Sequence, residues 1–229
     1  PLLVSRNMGL AVDQRAAKRV MDILISGIGI IITSPIMLII ATAVKAYDRG
    51  PVFYFQDRLT LGGKPFKICK FRSMCVDSEK NGARLASKHD SRITPVGHVL
   101  RNLHLDELPQ LFNVFKGDMS LVGPRPERES IMLEYEKELP EFYYRLKVKA
   151  GLTGYAQVYG KYNTTPYDKL KLDLFYIENY SFLLDIKLLF MTVKIFFQKE
   201  VSEGVDDRQV NALKDSGRNA GASENKTEE

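Results

Sequence analysis

The longest apolar stretch of the chain runs from residue 23 to residue 44, 22 residues without a charge. A helix of that length can cross the hydrocarbon core of a bilayer. Ser34 and Pro35 lie near its middle, where proline removes a backbone hydrogen bond and kinks a helix. Lysine and arginine residues flank both ends, and these residues favour the cytoplasmic side of a membrane. We therefore expect a re-entrant helix over residues 18–47 that bends at Ser34 and Pro35. A straight spanning helix is the alternative.

A pair of short strands is predicted after this helix. Residues 52–56 are rich in aromatic and β-branched side chains, and residues 66–72 alternate in polarity around a turn that contains Gly62 and Gly63. Two such segments joined by a glycine-containing turn are typical of a hairpin. In the second strand Phe66 and Ile68 share one face, and we place Lys70 on that face too.

An acidic pair opens the central apolar segment of the chain. Asp106 and Glu107 precede this segment, and Gly117 ends it. Acidic residues in a first turn and glycine after a last turn are typical of helix ends. Pro109 fits a helix only in its first turn. We therefore expect Asp106 and Glu107 at a helix N-terminus, where unpaired N–H groups favour a negative, ionised carboxylate.

A stiff loop follows this helix and a short strand over residues 119–122. Its sequence is Gly-Pro-Arg-Pro, so the two prolines restrict the backbone around Arg125. Carboxylates and one fixed guanidinium fit a site for Mg²⁺ and phosphate. Each feature alone also has a structural explanation, because acidic pairs cap helices and proline-rich loops form rigid turns.

The rest of the chain predicts helices and one glycine-rich strand with its loop, over residues 149–160. The predicted helices cover residues 129–139, 140–148, 166–180 and 182–197, the last capped by Ser181. The last helix is apolar with few charges, so it fits either the membrane interface or the core. Residues 76–91 are polar. The fold class is α+β: a re-entrant membrane helix, then a compact, mainly helical domain with short strands and interfacial amphipathic helices.

Composition and charge exclude several classes of protein. The chain has 229 residues, a net charge of +5 and two cysteines, which excludes a disulfide framework and a four-cysteine zinc site. Residues 202–229 carry seven acidic and four basic side chains, so the remainder is more basic and suits an anionic partner. Nucleic acid is disfavoured, because the basic residues are dispersed and the long apolar run is out of place. Gly27 and Gly29 lack the third glycine of a nucleotide-binding fingerprint, so we expect them to permit close helix packing.

Four motifs together resemble the bacterial sugar transferases, the monotopic polyprenyl-phosphate phosphoglycosyl transferases. The most specific is Asp-Glu-Leu-Pro-Gln-Leu-Phe-Asn-Val followed by Gly-Asp-Met-Ser-Leu-Val-Gly-Pro-Arg-Pro-Glu, over residues 106–127. The others are the hairpin with Gln56, Arg58 and Lys-Phe-Arg-Ser-Met at 70–74, the Asp-x-Arg-Ile-Thr pattern from Asp90, and the glycine-rich strand with Thr153, Gly154 and Gln157. Thr60, Ala150 and Tyr155 stand where the family usually has Gly, Pro and Trp.

The resemblance implies transfer of a sugar-1-phosphate from a UDP-sugar to polyprenyl (undecaprenyl) phosphate, with release of UMP. It makes Asp106 the nucleophile and Glu107 the main metal ligand, with Asp106 as a second metal ligand. Mg²⁺ is the expected cofactor. We expect phosphate and substrate contacts from a set of polar side chains: Lys70, Arg72, Arg92, Arg101, Arg125 and Gln157.

The resemblance also implies a bacterial inner membrane protein with its site on the cytoplasmic face, in contact with membrane lipids. We expect residues 1–17 to be a linker from a preceding portion, 18–47 the membrane helix, 48–200 the catalytic domain and 201–229 a disordered tail. The sugar is left open, with glucose or galactose favoured, and so is the oligomeric state, including a homo-oligomer. The alternative function is a non-enzymatic, membrane-anchored scaffold whose basic face binds lipid headgroups.

Overall fold

The computed structural model describes residues 10–76, 78, 90–160 and 164–196. Its α-helices are α1 (Val12–Asp48), α2 (Pro95–Asn102), α3 (Gln110–Lys116), α4 (Glu129–Glu138), α5 (Tyr155–Tyr159), α6 (Pro166–Glu178) and α7 (Phe182–Phe196). Its strands are β1 (Phe53–Leu59), β2 (Pro65–Phe71), β3 (Ser120–Val122) and β4 (Gly151–Thr153). Three 3-10 segments lie at Leu61–Gly63, Leu105–Glu107 and Pro140–Lys147. This mainly helical content with short strands confirms the α+β class. The predicted tail, most of the polar segment over 76–91 and the first nine residues lie outside the described part.

The apolar stretch forms part of one continuous helix, α1, which is 37 residues long and includes Pro35. In a regular helix residue 35 would donate to the carbonyl of Ile31, and proline has no N–H with which to do so. The hydroxyl of Ser34 donates to that carbonyl at 2.8 Å. The Ser34–Pro35 pair therefore replaces the backbone bond that the proline removes. The re-entrant path stays a prediction.

Among the described helices, α1 alone is long and apolar enough to cross a membrane. Only 17% of its most apolar window is buried in the protein, which distinguishes it from an ordinary core helix. A wide apolar face is exposed instead, formed by isoleucine and leucine side chains: Ile23, Leu24, Ile25, Ile28, Ile31, Ile32, Ile36, Leu38 and Ile39. Such a face suits contact with lipid.

The opposite face of α1 packs on α2, α3 and β2. A Cβ atom at Gly29 would lie 3.3 Å from Leu111 Cδ1, and one at Gly27 would lie 3.4 Å from the ring of Phe115. These distances confirm that both glycines permit close packing of α1 on α3. Farther along, Ile40 and Val44 form a second apolar cluster with Phe71.

The two sheets are small, and each brings distant segments together. β1 and β2 pair antiparallel, with Arg58 opposite Phe66, which confirms the predicted hairpin. β3 and β4 pair parallel, with Val122 opposite Thr153. The β3–β4 pair lies in the main apolar core and leads directly into the Gly-Pro-Arg-Pro loop.

The structure differs from the sequence-based expectation in local detail. Residues 140–147 form a 3-10 helix rather than an α-helix, and the loop predicted after β4 contains the short helix α5. Phe71, on the face opposite Phe66, is also buried, because α1 covers that face of the hairpin. The last helix, α7, buries Asp185 and Leu188 and exposes Phe190, so it packs on the core with one side only.

Candidate active site

The acidic pair lies in a 3-10 turn, Leu105–Glu107, and not in the first turn of α3. Pro109 lacks an N–H and becomes the residue before α3, so the turn and the helix are separate. His104, directly before the turn, has a φ of 52°, which is uncommon for a residue other than glycine. The expected helix N-terminus is therefore corrected to a tight turn, which Leu108 and Pro109 separate from α3.

Glu107 joins three separate elements of the fold. Its Oε1 atom accepts hydrogen bonds from Lys70 Nζ on β2 at 2.6 Å and from Arg125 Nη2 at 2.9 Å. Burial by itself would raise the pKa of Glu107, but Arg125 and Lys70 outweigh it and hold the pKa well below its usual range. Glu107 therefore stays ionised, between two cations.

Asp106 has the opposite environment. Its side chain is buried, with 8% exposure. Burial raises its pKa; Lys70 opposes this rise, whereas the adjacent charge of Glu107 adds to it. The expectation that the local backbone favours the ionised form is thus outweighed by desolvation. Asp106 makes no ion pair among the described residues, so its oxygens are not committed to a cation.

Of the other predicted substrate residues, Arg101 lies near Asp106, and Gln157 lies beside the start of the loop that carries Arg125. Arg101 lies in the last turn of α2, and its charge opposes the rise in the pKa of Asp106. Its Nη1 atom is buried without a hydrogen-bond partner in the described structure. Gln157 lies beside the loop that carries Arg125, since a Cβ at Gly154 would meet both Gln157 Oε1 and the carbonyl of Gly123. The Oε1 atom of Gln157 is likewise buried and unpaired within the described ranges. Both side chains could therefore accept new partners.

Arg72 and Arg92 do not join the cluster. The guanidinium of Arg72 is buried, hydrogen bonds to both carboxylate oxygens of Asp48 and donates to the carbonyl of Pro51 at 2.6 Å. It ties the end of α1 to β2. Arg92 is paired with Asp90, Nη2 to Oδ2 at 2.6 Å. Neither placement supports the predicted phosphate contact.

Sequence reasoning gave no role to Arg58 and Arg145, which lie behind the loop. Arg58 Nη1 donates to the carbonyl of Pro126 at 3.1 Å, and Arg145 Nη2 donates to the carbonyl of Arg125 at 3.0 Å. One feature of the sequence could have indicated a buried role for Arg145: it stands among the apolar and aromatic side chains of residues 142–146. Arg58 belongs to the hairpin motif, but the sequence does not indicate which group it contacts.

The pair of carboxylates fits one kind of metal site. The described residues contain no group of three or more histidine, cysteine, aspartate or glutamate side chains that could enclose a metal ion. Mg²⁺ in phosphoryl-transfer sites is commonly held by one or two carboxylates together with substrate phosphates. Asp106 and Glu107 provide such a pair, and the hydrogen bonds from Lys70 and Arg125 to Glu107 both end on one oxygen, Oε1.

Comparison with known proteins identifies the family. The model of the bacterial sugar transferase family matches residues 13–199, most of the chain. The chain belongs to the bacterial sugar transferase family. This assignment agrees with the placement of the motifs, because the acidic pair, Lys70 and Arg125 meet in space.

Three relatives of this sugar transferase carry informative names. The UDP-N-acetylgalactosamine-undecaprenyl-phosphate N-acetylgalactosaminephosphotransferase of Aeromonas hydrophila is 46% identical over 180 residues, 77% of this chain and 43% of that protein. The UDP-glucose:undecaprenyl-phosphate glucose-1-phosphate transferase of Klebsiella pneumoniae is 45% identical over 181 residues, 77% of this chain and 39% of its own length. A protein of the same name from Caulobacter vibrioides is 39% identical over 189 residues, 80% of this chain and 70% of the relative. The chain thus spans less than half of the first two.

Proposed function

We propose that this protein transfers a sugar-1-phosphate from a UDP-sugar to undecaprenyl phosphate and releases UMP. The observation that carries the proposal is the pair of contacts from Lys70 and Arg125 to Glu107, directly beside a buried Asp106 that forms no ion pair with any described residue. The relatives named above act on UDP-sugars and undecaprenyl phosphate by their names. Those names include both glucose and N-acetylgalactosamine, so sugar identity is a matter for experiment.

The first step is attack by Asp106 on the phosphorus that carries the sugar. A carboxylate oxygen forms a bond to this phosphorus, the bond to the bridging oxygen breaks, and UMP leaves with that electron pair. The product is an aspartyl phosphosugar on the protein. Carboxylates act as nucleophiles toward phosphorus in other enzymes. Burial favours this role, because a desolvated carboxylate is less stabilised before it reacts, while Lys70 opposes its protonation.

The second step transfers the phosphosugar to the lipid. A phosphate oxygen of undecaprenyl phosphate attacks the same phosphorus, and the bond to Asp106 breaks. This yields undecaprenyl-diphospho-sugar and regenerates the carboxylate. Two displacements at one phosphorus let a soluble nucleotide and an insoluble lipid use the same site in turn.

The charges around the site suit substrates rich in phosphate. Lys70 and Arg125 both bind Glu107, and Arg101 lies near Asp106 with a nitrogen that has no hydrogen-bond partner in the described structure. Fixed cations of this kind stabilise charge that develops during phosphoryl transfer. Asp106 and Glu107 would hold Mg²⁺, which supplies charge neutralisation for the phosphates when bound.

Two ion pairs support a re-entrant path for α1 at the cytoplasmic face of the inner membrane. Near its start, Lys18 Nζ lies 2.5 Å from Asp185 Oδ2 of α7. At its end, Asp48 pairs with Arg72 of the hairpin region. Both ends of the helix are thus bound to the same folded domain. A polar domain lies on one side of a bilayer, so we infer that both ends of α1 lie on that side.

Release of UMP from a panel of UDP-sugars tests the activity. The purified chain in a membrane mimic receives undecaprenyl phosphate, Mg²⁺ and UDP-glucose, UDP-galactose or their N-acetylated counterparts. We expect one sugar class to release UMP at a rate far above the others. Lack of lipid-linked product with every UDP-sugar, from a folded protein, would contradict the proposed function.

Labelling of single cysteines tests the path of α1. In a variant without Cys69 and Cys75, cysteines placed at residues 12 and 48 should both react only from the cytoplasmic side. The basic flanks and the shared domain are the reasons for this expectation. Labelling of the two positions from opposite sides would contradict the re-entrant path and favour a spanning helix.

A further inference from the structure

The loop that presents Arg125 is held by four hydrogen bonds to four successive carbonyl groups. The carbonyl of Pro124 accepts from Gly151 N at 2.9 Å, and that of Glu127 accepts from Leu59 N at 3.0 Å. The two carbonyls between them accept from the side chains of Arg145 and Arg58, at 3.0 and 3.1 Å. The outer anchors are backbone groups, whereas the inner two depend on the identity of two side chains.

The two inner anchors hold the two backbone carbonyls that directly follow the Cα of Arg125. Arg145 binds the carbonyl of Arg125 itself, and Arg58 binds the next one, of Pro126. The prolines at 124 and 126 already restrict the backbone and have no N–H to donate. Fixing both carbonyls therefore removes much of the remaining freedom of the backbone from which the Arg125 side chain extends toward Glu107.

Each anchoring arginine is itself held by buried or partly buried partners. Arg145 is 2% exposed, pairs with Asp173 at 2.7 Å and lies 3.5 Å from Glu127. Arg58 Nη2 donates to Gln56 Oε1 at 2.5 Å, and its Nη1 lies 3.9 Å from Glu127. Buried charges of this kind are held rigidly only when they are paired.

The energetics disfavour a purely stabilising role for Arg58. Burial lowers the pKa of Arg58, which means that its charge is poorly solvated, and Glu127 opposes this only in part. Its Nε atom is buried and has no hydrogen-bond partner within the described residues. An arginine with an unsatisfied buried donor is expected to lower the stability of a fold. The contact that gives Arg58 a role is the hydrogen bond from its Nη1 atom to the carbonyl of Pro126.

We propose that Arg58 and Arg145 are positioning residues that aim Arg125 at Glu107 and at the substrate phosphate. This inference rests on the proposed function for its kinetic consequence. Neither residue contacts the acidic pair in the structure, so both act through Arg125. A displacement of about 1 Å at a catalytic group can lower the rate by about 100-fold, so the effect of the anchors is measurable.

A double-mutant cycle distinguishes positioning from general stabilisation. Arg58→Met removes the donor and keeps an apolar stem, and we expect it to lower kcat/KM by about 10-fold. In an Arg125→Ala background the same change should lower kcat/KM by less than about 2-fold, because nothing remains to be aimed. Any change in melting temperature should be similar in both backgrounds, because it does not depend on Arg125. Equal losses of kcat/KM in both backgrounds would overturn the proposal.

Three further variants serve as controls for the cycle. Arg58→Lys retains a donor and should recover part of the lost activity. Gln56→Met is milder, because Gln56 only orients Arg58. Lys67→Ala is the matched control: it lies on the same hairpin, is exposed and pairs with Asp57 alone in the described structure. It should leave kcat/KM unchanged.

Hydrogen exchange tests the anchors without any activity. The amides of Arg125 and Glu127 should exchange faster in Arg58→Met than in the original protein, and should be unchanged in Lys67→Ala. Unchanged exchange in Arg58→Met would overturn the proposal. If the original protein forms no lipid-linked product, the proposed function fails while this measurement still decides whether Arg58 holds the loop.

Discussion

The two carboxylates of the site are adjacent in sequence, yet their surroundings are opposite. Glu107 lies between Lys70 and Arg125, and its pKa is lowered. Asp106 is buried, forms no ion pair in the described structure, and its pKa is raised. A committed carboxylate suits a fixed ligand, whereas an uncommitted one suits a nucleophile. Two adjacent carboxyl groups thus differ in the direction of their pKa shifts because packing surrounds them with different neighbours.

The largest expected effect follows from removing the uncommitted carboxylate. Asp106→Asn keeps the shape of the side chain but is not a nucleophile, so turnover should fall by at least about 1,000-fold. The measurement is UMP release with lipid and Mg²⁺ present. An unchanged circular dichroism spectrum is the control for folding. Turnover within 10-fold of the original protein would remove Asp106 from the reaction.

Removing the committed carboxylate should have a smaller effect of another kind. Glu107→Gln leaves Lys70 and Arg125 without their shared counter-ion and replaces a ligand for a hard cation by a poor one. We expect activity to fall by about 100-fold and to require more Mg²⁺. A titration with Mg²⁺ measures both. Activity that falls with an unchanged Mg²⁺ requirement would contradict metal binding by Glu107.

The arginine that contacts Glu107 should not be replaceable by lysine. Arg125→Lys retains the charge but not the planar fork that can bind Glu107 and a phosphate together. We expect kcat/KM to fall by about 10-fold, equivalent to about 1.4 kcal/mol. Steady-state kinetics of UMP release measures this. A rate equal to that of the original protein would show that charge alone is needed.

The smallest expected effect is on the free energy of unfolding. Removing the charge of Asp106 should change it in the opposite direction from removing the charge of Glu107. The raised pKa of Asp106 favours the folded state below the unfolded pKa, near 3.8, and this is lost as pH rises through the folded pKa. The lowered pKa of Glu107 favours the folded state above the unfolded pKa, near 4.5, and this is lost as pH falls through the folded pKa. The two groups therefore act in opposite directions at neutral pH.

The corresponding measurement compares melting temperatures at pH 7 in EDTA. Asp106→Asn should raise the melting temperature by about 2 °C, and Glu107→Gln should lower it by a similar amount. The exposed Lys67→Ala serves as the reference for an unrelated surface change. Shifts of the same sign for the two variants would contradict the opposite environments.

Local signals predicted much of the fold. Gly117 has a φ of 102° at the end of α3, and the hydroxyl of Ser181 accepts a hydrogen bond from Leu184 N at the start of α7, as their residue types indicated. The hairpin and the strand before the loop also follow from nearby residues. Capping and turn formation depend on side chains only a few positions apart, so these features can be predicted from the sequence alone.

Long-range partners could not be predicted in the same way. Arg72 lies two residues after Lys70, so the predicted strand placed both side chains on one face. In the structure Arg72 pairs instead with Asp48, because the end of α1 lies next to the end of β2. Arg58 finds its carbonyl 68 positions away. Phe71 lies on the face of β2 opposite Phe66 and Ile68, and it is buried because α1 covers that face. These contacts depend on how the helices and strands pack together, and a local sequence pattern does not indicate that packing.

Mass spectrometry of the protein without lipid tests the central claim most directly. With UDP-sugar and Mg²⁺ alone, UMP should be released in an amount no greater than the protein present. A hexose-phosphate mass increase should appear on Asp106 by fragmentation of its peptide, persist in Glu107→Gln at a lower level, and be absent in Asp106→Asn. An adduct on Glu107, or a first turnover that strictly requires undecaprenyl phosphate, would contradict the account.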